Sequence, residues 1–367
     1  MRLRDLGIAI GAGTPGPLNA ITDVAGVRVG HSTIIQGEGP LVVGGGPVRT
    51  GVTAVVPHDQ VGREVLFAGC HRLNGNGELT GLEWVRESGM LTTPVAITNT
   101  HSVGVVRDAL AVAQATGDAD SPWSLPVVGE TWDGRLNDIN GGHVRPHHLH
   151  EALSSASPGP VPEGNVGGGT GMVCHGFKGG IGTASRVAPR AEGGHVVGVL
   201  VQANQGRRER LCVDGVPVGR EISASEVPVP EIPIPDRRQE GSIIVVVATD
   251  APLLPTQCER LAQRVGLGVA RVGGVGEHSS GDLFLAFSTG NCGRGYEVDD
   301  ERAVLDVSML SNRYITALFD AVVEATEEAI LNALVAAETM TGRDGVTAYA
   351  LDHDRLVQVM RRYGRGT

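Results

Sequence analysis

The stretch Gly241–Leu253, GSIIVVVATDAPL, constrains the fold more than any other part of the chain. Ile243–Ala248 is an unbroken apolar run, rich in β-branched side chains and without polar alternation. Such a run reads as a strand covered on both faces, so apolar layers are needed above and below it. Directly upstream, Glu226–Glu240 reads EVPVPEIPIPDRRQE, with its four prolines closely spaced. That segment is neither helix nor paired central strand, and an exposed extended connector is expected over about 226–240.

Other strand-like runs are VRVGHSTII, LVVGGG, TAVVPH, TPVAIT and HVVGVLVQAN, each close to a glycine or proline turn. Helices are expected over Gly81–Gly89 and Val103–Ala115, where apolar residues recur every three or four positions. After the long apolar strand, Asp250 suits the cap of a helix from about Pro252 to Val265, stopped by Gly266. A strand LGVAR, the turn GGVGEHSSG and a strand DLFLAFST follow, and Asn312–Thr341 reads as a long helix ending at Gly342. Together these predict a layered α/β or α+β fold. Glycine supplies 54 of 367 residues, about twice the roughly 7 % of ordinary proteins. No Gly-X-Y period runs through the chain, so the excess serves tight turns and close backbone approaches.

The charge balance of 30 basic against 41 acidic residues, net −11, has no basic run, so neither nucleic acid nor an anionic membrane is an expected partner. No stretch reaches the roughly 18 apolar residues of a membrane helix, and the apolar segment after Arg4 is too short for a secretory signal. Cys70, Cys174, Cys212, Cys258 and Cys292 contain no CxxC and read as free thiols in a reducing cytoplasm, with no zinc site.

Several motifs carry possible chemistry. GAGTPG at Gly11–Gly16 has dinucleotide spacing but leads into strand-and-turn sequence, so a plain turn is expected. In Gly167–Gly182, Lys178, the chain's single lysine, is followed by glycine, which excludes a phosphate loop. His147, His148 and His150 could bind a metal or simply form a solvated loop or helix start beside Pro146. Gly241-Ser242 is either an ordinary turn into a strand or a self-cleavage site. In the second case the glycine permits a strained backbone, and cleavage leaves Ser242 with an α-amine of pKa near 8, suited to a base. Ser280 and Asp282 in SSGD lie two apart and face one side of a strand as a possible hydrogen-bonded pair. Asn204 ends a strand where its amide could donate to an oxyanion or favour a turn. Glu130 and Trp132, in VVGETWDG, could capture a cationic amine or cap a loop.

Taken together, these segments resemble the DmpA-type aminopeptidases and β-peptidyl aminopeptidases, self-processing serine hydrolases with an N-terminal nucleophile. The resemblance runs through NAITDVAGVRVGH (19–31), GNGELTG (75–81), GETWDGRLND (129–138), GGGTGMVCHGFKGGIGTASR (167–186), VGVLVQAN (197–204), GSIIVVVATDAPLLP (241–255) and SSGDLFLAFSTGN (279–291). It implies one catalytic domain, 1–367, cleaved between Gly241 and Ser242 into chains 1–241 and 242–367. The fold implied is a four-layer αββα sandwich, like that of N-terminal nucleophile hydrolases and shared with ornithine acetyltransferases. Ser242 matches the nucleophile, Ser280 the second active-site serine, Asp282 an acidic position, Asn204 the oxyanion asparagine and Glu130 a residue that binds the substrate's amine. Trp132 stands where some relatives have tyrosine, which bears on substrate preference. No cofactor or metal is implied. Short peptides, amides or esters are the expected substrates, and a homotetramer or larger homo-oligomer the expected assembly. A related self-cleaving acyltransferase is the alternative, although that type cleaves before threonine; a non-catalytic relative kept as a binding protein is another.

Overall fold

The computed structural model describes residues 1–64, 66–115, 123–231, 241–292 and 303–366. The chain first lays down β1 (Arg28–Gln36) and β2 (Val48–Val56) as an antiparallel pair. It then builds β3 (Leu66–Gly75), α1 (Leu82–Ser88) and β4 (Met90–Leu91) before returning with β5 (Val95–Asn99), α2 (Val103–Gln114) and β6 (Val127–Thr131). Next come α3 (Pro146–Ser154), the small hairpin β7 (Val173–Cys174) and β8 (Phe177–Lys178), and the long strands β9 (Gly180–Val187) and β10 (Val196–Asn204). The remainder is α4 (Val218–Glu221), β11 (Ser242–Thr249), α5 (Pro255–Arg271), β12 (Gly281–Ser288), α6 (Ile315–Ala336), the hairpin β13 (Met340–Thr341) and β14 (Thr347–Ala348), and α7 (His353–Arg362).

Two sheets result, in the orders β1-β2-β5-β6 and β4-β3-β12-β11-β10-β9. Pairing is antiparallel except for β5 with β6 and β11 with β12. β11 is buried along its whole length, as its sequence predicts. Ile243, Val245 and Val247 pack in one core with Leu261 and Val265 of α5 and Val322 and Ile330 of α6. Ile244, Val246 and Ala248 pack in a second core with Val55, Ile97 and Val127 of the other sheet. Each of these valine, leucine and isoleucine side chains contributes roughly 1.5–3 kcal/mol by leaving water. A third core joins Val52, Ala54 and Val128 to Val106 and Leu110 of α2 and Leu149 of α3. The layers are therefore helices, sheet, sheet and helices, the expected four-layer sandwich.

Glycine places the helices close to the long sheet. A Cβ on Gly182 of β9 would lie 2.0 Å from the Ala329 carbonyl of α6, and one on Gly69 of β3 would lie 2.2 Å from the Glu259 amide of α5. The GAGTPG loop is a turn, and it does receive an anion: Ala12 and Gly13 donate their amides to the Glu324 carboxylate of α6 at 3.0 and 2.9 Å.

Four local expectations change. α5 starts at Pro255 and runs through Gly266 to Arg271, so LGVAR is its last turn rather than a strand. Gly268 lets α6 approach, since a Cβ there would meet Thr326 at 2.6 Å, and Gly266 does not take a left-handed conformation. Asp250 does not cap α5; it accepts the Val196 amide at 2.8 Å, and Gln257 instead accepts the Leu254 amide. α6 ends at Ala336, because Ala337 is extended and Met340–Thr341 pairs with β14. LVVGGG is a turn closed by the Val42 amide on the Gly46 carbonyl at 2.9 Å.

Of the connector 226–240, residues 226–231 are described. There Pro230 is buried and the Val227 carbonyl accepts from the Arg208 guanidinium at 2.8 Å. Residues 232–240 lie outside the described residues.

Candidate active site

The ends of three adjacent strands converge. Ser242, the first residue of β11, sits opposite Asn204, the last residue of β10, and Ile243 sits opposite Asp282 near the start of β12. Gly241 is pressed onto β10, where a Cβ would lie 2.2 Å from the Asn204 carbonyl oxygen. The Gly281 amide donates to Ser242 Oγ at 3.1 Å. Beside it, Ser280 Oγ donates to Asp282 Oδ1 at 2.5 Å, so the two polar residues of SSGD do form one pair. Burial pushes the Asp282 carboxyl up to about 6, although the Ser280 hydroxyl and the Ile243 amide oppose the rise. Asn204 is oriented at both ends of its amide: Oδ1 accepts the Val173 amide at 2.8 Å and Nδ2 donates to the Trp132 carbonyl at 3.0 Å. Nδ2 carries a second N–H beyond the one that Trp132 uses.

Ser242 and Gly241 line an open cleft of about 700 Å³. Glu130 and Trp132 line it too, from the end of β6 in the other sheet. Glu130 is buried, accepts the Glu78 amide at 2.9 Å and receives the Thr100 hydroxyl. Desolvation raises its pKa against those two hydrogen bonds, and among the described residues it forms no ion pair. A buried carboxylate in that condition is a ready partner for a cation. Gly77 bridges it to the serine side. A Cβ there would lie 2.9 Å from Glu130 Oε1 and 3.1 Å from the Gly281 Cα. The hydrogen-bonded serine cluster, the cleft and the buried acid thus come from segments widely separated in the chain.

A model of peptidase family S58 matches residues 19–348. The chain belongs to peptidase family S58. It is 49 % identical over 371 residues to the β-peptidyl aminopeptidase BapA of Sphingosinicella microcystinivorans, covering 99 % of this chain and 93 % of that one. Among solved structures it resembles the β-aminopeptidase of Burkholderia sp., with a TM-score of 0.92, 52 % identity and full coverage of both chains. It also resembles the L-aminopeptidase D-Ala-esterase/amidase of Ochrobactrum anthropi, described as a prototype of the serine aminopeptidases and a variant of the Ntn hydrolase fold. That match has a TM-score of 0.89 and 45 % identity over 100 % of this chain and 99 % of the other. The protein is accordingly an aminopeptidase of the S58 family with an Ntn-hydrolase-type fold.

In this S58 chain the other sequence motifs find structural uses. Lys178 is fully buried and donates to the carbonyls of Gly169, Met172 and Gly179 at 3.2, 2.9 and 2.8 Å, while burial pushes its ammonium down to about 7. It thereby ties the glycine-rich loop whose Val173 amide holds Asn204. His147, His148 and His150 open α3 behind Pro146, and His148 accepts the Arg145 amide at 2.9 Å. Among the described residues, the side chains close enough to share a metal are His58, Glu64 and Cys292 instead. Both His58 ring nitrogens there already meet backbone, at the Glu64 carbonyl and the Gln60 amide. The cleft also contains Asn76, Thr100, His101, Asn140 and Arg343, none of which the sequence reading selected. Asn76 lies inside the matching segment GNGELTG. His101 follows a strand end in the polar cluster NTHS, a weak signal, and Arg343 carries none.

Proposed function

We propose that this chain cleaves itself between Gly241 and Ser242 and then removes N-terminal residues from short peptides, amides or esters through an acyl-enzyme on Ser242. The carrying observation is the seat of Ser242: first residue of a buried strand, its Oγ bonded to the Gly281 amide, in the lining of a cleft that Glu130 also lines. In this reading Glu130 receives the substrate ammonium and Ser242 Oγ attacks the adjacent carbonyl carbon. The freed α-amine of Ser242, or the Ser280–Asp282 pair, takes the hydroxyl proton. The second N–H of Asn204 Nδ2 and a backbone amide stabilise the oxyanion. The leaving amine is protonated as the C–N bond breaks, and water then hydrolyses the ester to free acid and Ser242. Relatives named as a β-peptidyl aminopeptidase and as an L-aminopeptidase D-Ala-esterase/amidase support this substrate class. The proposal includes one catalytic domain, a cytoplasmic location and assembly as a homotetramer or larger homo-oligomer.

A denaturing gel tests it directly. Purified protein should give two bands, 1–241 and 242–367, with the smaller beginning Ser-Ile-Ile on N-terminal sequencing. Ser242→Ala should run as one band and lose hydrolysis of L-, D- and β-aminoacyl p-nitroanilides. An uncleaved wild type with full activity would overturn the assignment.

A further inference from the structure

Arg343 supplies a charge of the opposite sign to Glu130 in the same cleft. Its backbone is fixed: its amide donates to the Leu136 carbonyl at 2.9 Å, and the Gly342 amide to Val346 at 2.9 Å. Gly342 lies so close to the turn at Leu136 that a Cβ would come within 2.1 Å of its carbonyl oxygen. The side chain is only 17 % exposed. Nε bonds Asp344 Oδ2 at 3.0 Å and Nη1 reaches the Gly134 carbonyl at 3.5 Å. Asp344 is in turn occupied by the Leu41 amide at 2.8 Å. A guanidinium has five N–H donors, so with Nε on Asp344 and Nη1 on Gly134 the second N–H of Nη1 and both of Nη2 remain, enough to grip a carboxylate in two parallel hydrogen bonds.

Glu130 touches the serine cluster through Gly77 and Gly281. Arg343 reaches Gly134, on which the Trp132 ring packs, and the Trp132 carbonyl binds Asn204. Glu130, Ser242 and Arg343 line one cleft. A zwitterionic substrate with its ammonium on Glu130 and its first carbonyl on Ser242 carries its carboxylate within that cleft, where Arg343 is a cation to meet it.

We infer that Arg343 is a specificity residue that binds the free C-terminal carboxylate of very short peptides, making dipeptide-sized acids better substrates than their amides. This rests on the assignment of Ser242 and Glu130 above. A test compares kcat/KM for β-alanyl-alanine and L-alanyl-alanine with that for their C-terminal amides, in the wild type, Arg343→Met and Arg343→Lys. The expected result is a fall of about tenfold or more in the acid-to-amide ratio for Arg343→Met, the loss of a charge-assisted bidentate contact, seen mainly in KM. Arg343→Lys should recover part of it, since it keeps the charge and loses the fork. A ratio that stays at the wild-type value in both variants, with all three proteins active, overturns the inference and leaves the Ser242 reading standing. A wild type that cleaves neither acids nor amides overturns both.

Discussion

At the scale of single residues, Asp282 is the group through which pH would reach the proposed chemistry. Its carboxyl is buried, and removing water destabilises the charged form more than the Ser280 hydroxyl and Ile243 amide restore it, so the group titrates at about 6 rather than 3.8. The sign follows directly. Below about pH 6 the protonated carboxyl cannot accept the Ser280 proton, and above it the carboxylate can. On the proposed mechanism kcat/KM should therefore rise with pH along an acid limb whose midpoint lies near 6. Asp282→Asn should remove that limb and lower kcat/KM by on the order of 10²–10⁴, the usual worth of a positioned acid–base group. An acid limb unchanged in the variant would exclude Asp282 as its source. Glu130 is different in kind: it too is raised by burial, yet its oxygens are bonded to the Glu78 amide and the Thr100 hydroxyl and to neither member of the serine pair, which suits binding a cation rather than moving a proton.

At the scale of elements, glycine decides how near a helix can come to the sheet that carries the site. β9 presents Gly182 to α6, and a methyl group there would stand 2.0 Å from the Ala329 carbonyl and 2.7 Å from the Ala333 amide. Neither atom can move without shifting the helix. Gly182→Ala should destabilise the protein by about 1–3 kcal/mol or more, the range of overpacked cores, read as a lower thermal midpoint. A midpoint equal to that of the wild type would mean that α6 is less firmly seated than its contacts indicate. The elements also explain which local readings failed. Gly266 looks like a helix stop in isolation, but a glycine stops a helix only by turning left-handed, and in α5 the packing of Gly268 against α6 keeps the helix running to Arg271. Periodicity extended α6 to Thr341, whereas pairing with β14 takes the last residues into a hairpin.

At the scale of the molecule, the proposed cleavage would not separate the two pieces. β11 is hydrogen-bonded between β10, which lies before the cleavage site, and β12, which lies after it. The N-terminal segment is fastened to α6 as well: Arg4 and Arg186 meet Glu328 at 2.7 and 2.6 Å, and Asn19 donates to the same carboxylate. Breaking a buried pair of this kind leaves an uncompensated charge and costs about 3–5 kcal/mol. Both fragments should therefore elute together on native size exclusion and separate only in denaturant. Early release of 242–367 under native conditions would contradict this account.

The sequence by itself determined that Ile243–Ala248 is buried on both faces and that the fold is layered around it, and its long matching segments pointed to Ser242, Ser280, Asp282, Asn204, Glu130 and Trp132 as candidates for one site. Those conclusions depend on local patterning, because burial, turns and backbone freedom leave their trace in residue type at neighbouring positions. Only the tertiary structure decided that Thr100, Asn140 and Arg343 enter the cleft and that GAGTPG cradles Glu324 rather than a phosphate. Such meetings depend on strand register and layer stacking across hundreds of residues, and no single segment carries a mark of the partner it will face. The glycine excess shows the division most plainly. Composition indicated close approaches, and the packed layers identified what each glycine approaches: Ala329 for Gly182, Glu130 for Gly77 and the Asn204 carbonyl for Gly241.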